Sequence, residues 1–148
     1  NLKMPKYISD KIEQILEEKN LEKSVIVCGL SYKPNVEDMR DSSSFKIIKE
    51  LKKRNFNVFG YDPYFNIDYV QKYLDENNIT ELDFERIEGL DNEKIKSISC
   101  ICIVQHHAID KNKIKEIYEN SIIPCIYDCQ TKLEINEKSD TKLIYLGD

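Results

Sequence analysis

Residues 29–44, GLSYKPNVEDMRDSSS, contain the residue types best suited to holding an anionic ligand. They follow an apolar run of β-forming residues and precede a helical pattern, so they lie where a strand ends and a helix begins. Lys33 offers a positive charge on a flexible stem, which suits a phosphate or a sugar hydroxyl. Gly29 can let the chain turn sharply, and Pro34 stiffens the segment. This pattern predicts a ligand-binding loop.

The same loop contains Arg40 two residues after Asp38. The two side chains could pair to fasten the loop, or Arg40 could contact a ligand directly, and the sequence leaves both possibilities open. The serines at 42–44 could cap the following helix, or their amides could meet an anion at its positive end.

Two familiar phosphate-binding patterns are missing from the sequence. There is no G-x-G-x-x-G to hold a dinucleotide pyrophosphate and no G-x-x-x-x-G-K-[ST] for a nucleoside triphosphate. The loop therefore indicates either a modified binding site or a domain that completes a site built elsewhere.

Histidines and cysteines supply the other candidate chemistry. His106 and His107 could transfer protons, but a strand-end histidine hydrogen-bonded to the backbone is the favoured interpretation. The five cysteines lie in or beside apolar strand-like runs and are interpreted as reduced core residues. A zinc site is the alternative, although the paired C-x-x-C knuckles are absent. Its ligands would come from Cys100, Cys102, Cys125, Cys129 and the two histidines.

Apolar periodicity predicts the elements that position these residues. Helical stripes or patterns occur at about 5–20, 42–55, 67–74 and 110–120, and strand-like runs occur at 25–29, 58–61, 99–104, 122–127 and 142–146, while 79–87 could be a strand or irregular. This alternation predicts an α/β fold, a doubly wound and mostly parallel Rossmann-like sheet with helices on both faces. Ligands bind at the carboxyl ends of such strands, so segments 31–41, 62–65, 105–107 and 128–132 compete for the site.

Length and composition narrow the class of protein. The chain has 148 residues, 41% of them hydrophobic, and a formal net charge of −5, which disfavours a nucleic-acid partner. No apolar run approaches membrane-spanning length, and nothing at the start resembles a signal peptide, so a cytoplasmic location without a membrane partner is expected. Because residue 1 is Asn, the chain is interpreted as a fragment.

The motifs together resemble the C-terminal nucleotide-sugar-binding domain of the UDP-glucose/GDP-mannose dehydrogenase family. The family pattern is a hydrophobic strand, G-x-[AS]-[FY]-K, D-x-R and a small-residue helix start, which 29–44 is similar to. The likeness continues with YDP at 61–63, VQHHAI at 104–109, IYDCQ at 126–130 and YLG at 145–147. The opening NLKMPKY resembles the end of the family's long central helix.

The resemblance implies roles for individual residues. Tyr32 and Lys33 match the [FY]-K pair that contacts the nucleotide-sugar, and Asp38 and Arg40 match D-x-R, whose first role is loop architecture. Many members place an arginine after the strand that ends here at Asp128. Cys129, Gln130 and Thr131 occupy that stretch, so Gln130 and Lys132 are the candidate substrate-binding residues at this edge, with Tyr32, Lys33 and Arg40. Gly29, Pro34 and Asp38 are expected to structure the loop.

The resemblance also implies an activity for the whole protein. Members oxidise the C6 alcohol of a nucleotide-sugar to a carboxylate with two NAD and a covalent intermediate on a cysteine. The NAD domain and that cysteine precede the region matched here, so the fragment is expected to bind a UDP-sugar, to hold no cofactor or metal, and not to turn over. The product would be a UDP-uronic acid for surface polysaccharide synthesis. The opening residues favour members that act on UDP-N-acetylmannosamine, but the pattern KPN-x-x-D-M-R at 33–40 also occurs in UDP-glucose members.

The expected domain organisation is 1–20 as the end of a central helix, through which the full-length protein would form a homodimer, and 21–148 as the nucleotide-sugar-binding domain. A non-catalytic Rossmann-like regulatory or interaction module is the alternative function. A phosphoacceptor receiver is disfavoured, because Gly29 and Leu30 provide no acidic cluster beside Asp62.

Overall fold

The computed structural model describes residues 3–31, 42–80, 82–135 and 139–147, in which strands and helices alternate. A short 3-10 turn, Ala108–Asp110, precedes the last helix. In chain order the other elements are α1 (Lys3–Glu18), β1 (Ser24–Cys28), α2 (Ser43–Lys53), β2 (Asn57–Tyr61), α3 (Ile67–Glu76), β3 (Glu85–Arg86), α4 (Asn92–Ile95), β4 (Cys100–Ile103), α5 (Lys111–Glu119), β5 (Cys125–Asp128) and β6 (Lys142–Tyr145).

The six strands form one sheet in the order β3-β2-β1-β4-β5-β6, and every neighbouring pair is parallel. β1 lies between β2 and β4, with Val25 paired to Val58 on one side and to Cys100 on the other. The chain runs outward in one direction from β1 to β3 and in the other from β4 to β6, so the strand order reverses between β1 and β4. Ligands of such sheets bind outside the carboxyl ends at this reversal. The predicted Rossmann-like fold is confirmed.

Helices cover both faces of the sheet, and alternate strand residues point to each side. Val25 and Val27 belong to one apolar cluster, with residues of α1, α2 and α3. Ile26 and Cys28 belong to a second, with residues of α4 and α5. Burial on both faces explains why the central strands read as continuous apolar runs in the sequence. Within the described residues, no helix has the length and apolarity needed to cross a bilayer.

The apolar stripe of α1 is covered by this chain itself. The four residues of the stripe are all buried in the core shared with α2: Ile8, Ile12, Ile15 and Leu16. Arg54, at the end of α2, joins the two helices through ion pairs to Asp10 at 2.5 Å and Glu13 at 3.3 Å. The stripe therefore packs against the chain's own domain.

Local signals explain most element boundaries. Ser42 caps α2 by accepting a hydrogen bond from the Ser44 amide at 3.2 Å. Asn20, Asn55 and Asn78 follow the ends of α1, α2 and α3 with positive φ, the left-handed conformation that commonly ends a helix. The two-residue β3 lies within 79–87, which the sequence left open as a strand or irregular, and the one-turn α4 was not predicted.

Candidate functional site

The turn after β1 begins the candidate site. Gly29 has φ +92° and donates its amide to the carbonyl of Tyr61 at 2.8 Å. The positive φ and the nearby Gln105 backbone both require glycine, since a Cβ atom here would lie 2.6 Å from the Gln105 nitrogen. Gly29 therefore lets the loops after β1 and β4 touch at the point where the strand order reverses.

The Asp62 carboxylate, directly after β2, holds this turn in place. Its Oδ2 accepts the amides of Leu30 at 2.8 Å and Ser31 at 3.0 Å, and its Oδ1 accepts the amide of Tyr64 at 2.9 Å. Asp62 is buried. Asp62 therefore accepts hydrogen bonds from the backbone amides of the β1 turn. In a dinucleotide-binding fold, the amides at this place bind the pyrophosphate.

His107, after β4, completes this cluster. Its Nε2 lies 3.0 Å from Asp62 Oδ2 and 3.1 Å from Ser31 Oγ, and its ring meets Tyr64 edge to face with centroids 5.1 Å apart. Burial alone would raise the pKa of Asp62, but the hydrogen bonds from His107 and from backbone amides outweigh it and lower that pKa. Because an ionised carboxylate only accepts, Nε2 must carry the hydrogen.

A second buried carboxylate, Asp110, lies near His107 but behaves differently. It accepts one hydrogen bond from the Tyr61 hydroxyl at 2.8 Å. Burial raises the pKa of Asp110, and the nearby charge of Asp62 adds to this, while Tyr61 and His107 oppose it. Burial and Asp110 together raise the pKa of Tyr61. The two carboxylates thus differ because Asp62 receives several donors.

Asp128, at the end of β5, organises the loop on the other side of β4 in the same way. Its oxygens accept the four amides of Gln130, Thr131, Lys132 and Leu133 at 2.9–3.1 Å, and His106 Nε2 lies 2.8 Å from Oδ1. Thr131 adopts φ 54° within this turn. Burial would raise the pKa of Asp128, but the hydrogen bonds from His106 and the amides lower it.

The sequence interpretation gave the two histidines backbone hydrogen bonds and did not predict carboxylate partners for their Nε2 atoms. Each Nε2 meets a buried aspartate at a neighbouring strand end. Sequence reasoning missed Asp62 and Asp128 as the centres of the two loops. The available signal was an aspartate at a strand end followed by turn-forming residues, a pattern whose side chain often bonds backbone amides.

The two predicted substrate-binding residues after β5 face different cavities. Gln130 donates its side-chain amide to the Val104 carbonyl at 2.8 Å and lines a cavity of about 220 Å³ between the starts of α1 and α2, where Lys46 also lies. Lys132 lines a cavity of about 540 Å³ with His106 and Lys111. The structure brings both residues to the carboxyl edge but does not bring their side chains together.

The predicted residues Tyr32, Lys33, Pro34, Asp38 and Arg40 lie outside the described residues. Both ends of their loop are fixed, however. Ser31 and Ser42 are buried, and the Ser44 hydroxyl donates to the Gly29 carbonyl, which ties the start of α2 to the β1 turn. The described residues that flank this segment, Ser31 and Ser42, therefore lie beside the strand-order reversal.

The cysteines form two close pairs. The Sγ atoms of Cys100 and Cys125 are 3.6 Å apart, and those of Cys102 and Cys129 are 3.8 Å apart. All but Cys129 are buried, and the hydrogen bond with the neighbouring thiol, together with burial, raises the pKa of Cys100 and of Cys102. Among the described residues, no three His, Cys, Asp or Glu side chains are placed to share a metal ion.

Comparison with known proteins gives a match across most of the chain. A model of the UDP-binding domain of the UDP-glucose/GDP-mannose dehydrogenase family matches residues 26–134, from β1 to the loop after β5. UDP-N-acetyl-D-mannosamine dehydrogenases from Methanococcus vannielii and Methanocaldococcus jannaschii are each 32% identical over 154 residues. The alignments cover 99% and 100% of this chain but 32% of each relative, so the chain spans about a third of their length.

A solved structure shows the same fold. The UDP-D-ManNAc dehydrogenase from Pyrococcus horikoshii superposes with a TM-score of 0.70 at 20% identity, covering 99% of this chain and 31% of that one. At this identity the likeness concerns the fold alone.

Proposed function

The chain belongs to the UDP-glucose/GDP-mannose dehydrogenase family, whose UDP-binding domain it contains, and we propose that it binds the UDP part of a UDP-sugar at the carboxyl edge of its sheet. The observation that carries this proposal is the family match over 26–134, which includes both loops of the candidate site. The proposed contacts come from Tyr32, Lys33 and Arg40 in the loop after β1, and from Gln130 and Lys132 after β5.

The described residues at this edge do not offer a dinucleotide its usual phosphate site. The Leu30 and Ser31 amides already donate to Asp62, so they are not available to bind the pyrophosphate of a dinucleotide. The residues described at this edge therefore do not fit NAD, and no step of an oxidation is assigned to them. Lys33, two residues after Ser31, and Lys132 would supply the positive charge that a diphosphate needs.

For the whole protein we propose an NAD-dependent UDP-sugar 6-dehydrogenase that forms a UDP-uronic acid for surface polysaccharide synthesis in the cytoplasm. NAD and the reactive cysteine would belong to sequence outside this chain, and this chain alone would not turn over. UDP-N-acetylmannosamine is the proposed substrate, because relatives covering nearly the whole chain at 32% identity bear that name.

The proposed domain division places residues 1–20 with the family's central helix and 21–148 with the nucleotide-binding domain. We propose that the full-length protein is a homodimer through this helix. Since the stripe of α1 is buried within the chain, the contact between copies would use another face of the helix, where Tyr7 is 40% exposed.

Calorimetric titration of the purified chain with UDP tests the binding proposal. Loss of one charge-assisted hydrogen bond costs about 1.5 kcal/mol or more, so Lys33→Ala should weaken binding about tenfold. Lys142→Ala is the matched control, because Lys142 is exposed at the amino end of β6, away from the site. The absence of binding at millimolar UDP, or equal losses in the two variants, would contradict the proposal.

A further inference from the structure

Three buried side chains from three different strand ends converge beside the turn after β1. Ser31 follows β1, Asp62 follows β2 and His107 follows β4, and all three are buried. His107 Nε2 lies within 3.1 Å of both Ser31 Oγ and Asp62 Oδ2. His107 is not among the proposed UDP contacts, but its imidazole joins the loop after β4 to the loops after β1 and β2.

The cluster fixes where the chain leaves the sheet. Asp62 Oδ2 receives the amides of Leu30 and Ser31 and the imidazole of His107, so the carboxylate is held from the β1 side and from the β4 side at once. Ser31 is also held through its hydroxyl. Tyr32 and Lys33 come next in the chain, so the position of Ser31 sets the start of the segment proposed to contact UDP.

We propose that His107 is a positioning residue for nucleotide binding, which acts by fixing Asp62 and Ser31 and thereby the start of the loop that contains Lys33. This inference rests on the proposed function. The His107 side chain is 1% exposed, so it acts through its neighbours and not by touching the ligand. His106 differs, because its Nε2 bonds Asp128 in the loop after β5.

Because His107 Nε2 contacts both Ser31 and Asp62, a residue that replaces His107 keeps this role only if it can donate a hydrogen bond from the same place. Glutamine can place an amide nitrogen near the position of Nε2 and donate to Asp62, whereas leucine fills similar space without a donor. If positioning is the role, His107→Gln should retain most of the UDP affinity and His107→Leu should not. A role in filling the core alone would make the leucine variant the better tolerated of the two.

A double-mutant cycle separates positioning of Lys33 from general damage. We expect His107→Leu to weaken UDP binding about tenfold, as Lys33→Ala does, and the double variant to bind no more weakly than Lys33→Ala alone. Ile117→Val, a core truncation in α5, is the control for lost stability and should leave affinity unchanged. Additive losses in the double variant, or wild-type affinity in His107→Leu, would overturn the inference.

Amide hydrogen exchange tests the same role without any ligand. The amides of Leu30 and Ser31 should be protected in the wild-type chain and in Ile117→Val, and should exchange at least about tenfold faster in His107→Leu. If the leucine variant does not fold, His107→Gln and Ser31→Ala provide the comparison, with slower exchange in the glutamine variant. A wild-type chain that fails to bind UDP contradicts the proposed function, whereas unchanged protection in His107→Leu overturns the positioning role whatever the UDP result.

Discussion

The backbone nitrogen of Gln105 lies 2.6 Å from the point where a Cβ atom of Gly29 would stand. Gly29 follows β1 and Gln105 follows β4, so the two residues are neighbours across the strand-order reversal. The contact is with backbone, and it cannot be relieved by moving a flexible side chain. Glycine is therefore required here both by its conformation and by its surroundings.

Gly29→Ala should destabilise the chain by at least about 2 kcal/mol, because the left-handed conformation and the clash with Gln105 add together. Gly89→Ala is a matched control, since a Cβ at Gly89 has no atom within 4 Å, and it should change stability by less than about 0.5 kcal/mol. Urea unfolding followed by circular dichroism measures both. Equal stabilities of the two variants would contradict this account of the turn.

Acid should unfold the chain partly through Asp128. Its pKa is lowered in the folded state, so the stability that its ionised form contributes is present above the ordinary aspartate pKa of about 4 and is lost as the pH falls through the lower folded value. Asp128→Asn should therefore be less stable at neutral pH and lose less stability between pH about 4 and about 2. The control is Asp140→Asn at an exposed position. The stability of this variant should fall with pH as the stability of the wild type does.

Asp110 should affect the pH dependence of stability in the opposite direction from Asp128. Burial raises its pKa, so its ionised form costs stability at neutral pH, and this cost disappears as the pH falls below the ordinary aspartate pKa of about 4. Asp110→Asn removes the charge but keeps the side-chain volume and an oxygen that can accept the Tyr61 hydroxyl. The variant should melt at a higher temperature than the wild type at neutral pH, with a smaller difference in acid. A lower melting temperature at neutral pH would show that the charge of Asp110 is needed.

The sequence predicted the sheet, but it could not predict the contacts that hold the loops. Alternation of apolar runs and helical stripes is local, so β1, α2 and α5 were found close to their observed bounds. The two-residue β3 has too few residues for a periodic signal and is defined by pairing with Phe59 and Gly60. The pairs His107–Asp62 and His106–Asp128 join residues 45 and 22 positions apart, and only the strand order brings them together.

Arg54 should strengthen the attachment of α1, whose apolar stripe is already buried in the core. Its side chain is 15% exposed, and its guanidinium pairs with Asp10, Glu13 and Glu50. Because these partners are partly exposed, Arg54→Ala should cost about 1–2 kcal/mol, with a smaller loss at high salt. Lys53→Ala is the neighbouring control, since Lys53 is 64% exposed with an ion pair at 3.9 Å, and it should be nearly neutral. Urea midpoints at low and high salt measure the difference.

Lys132 should supply the positive charge that the family resemblance assigns to an arginine after β5. It lines the larger cavity at the carboxyl edge, whereas the Gln130 amide is already bonded to Val104. Lys132→Ala should weaken UDP binding about tenfold, and Gln130→Ala only about threefold, because a neutral hydrogen bond contributes less. Calorimetric titration at fixed ionic strength measures both variants.

The matched control for this experiment is Lys111→Ala, because Lys111 lines the same cavity from the start of α5. A general attraction of anions to the cavity would make the two lysine variants equivalent, whereas a direct contact makes Lys132→Ala the weaker binder. Neither substitution should disturb the hydrogen bonds of the Asp128 carboxylate. Lys132 bonds Asp128 through its backbone amide, which an alanine at this position keeps. Wild-type affinity in Lys132→Ala would remove this residue from the site and leave the loop after β1 as the proposed source of charge.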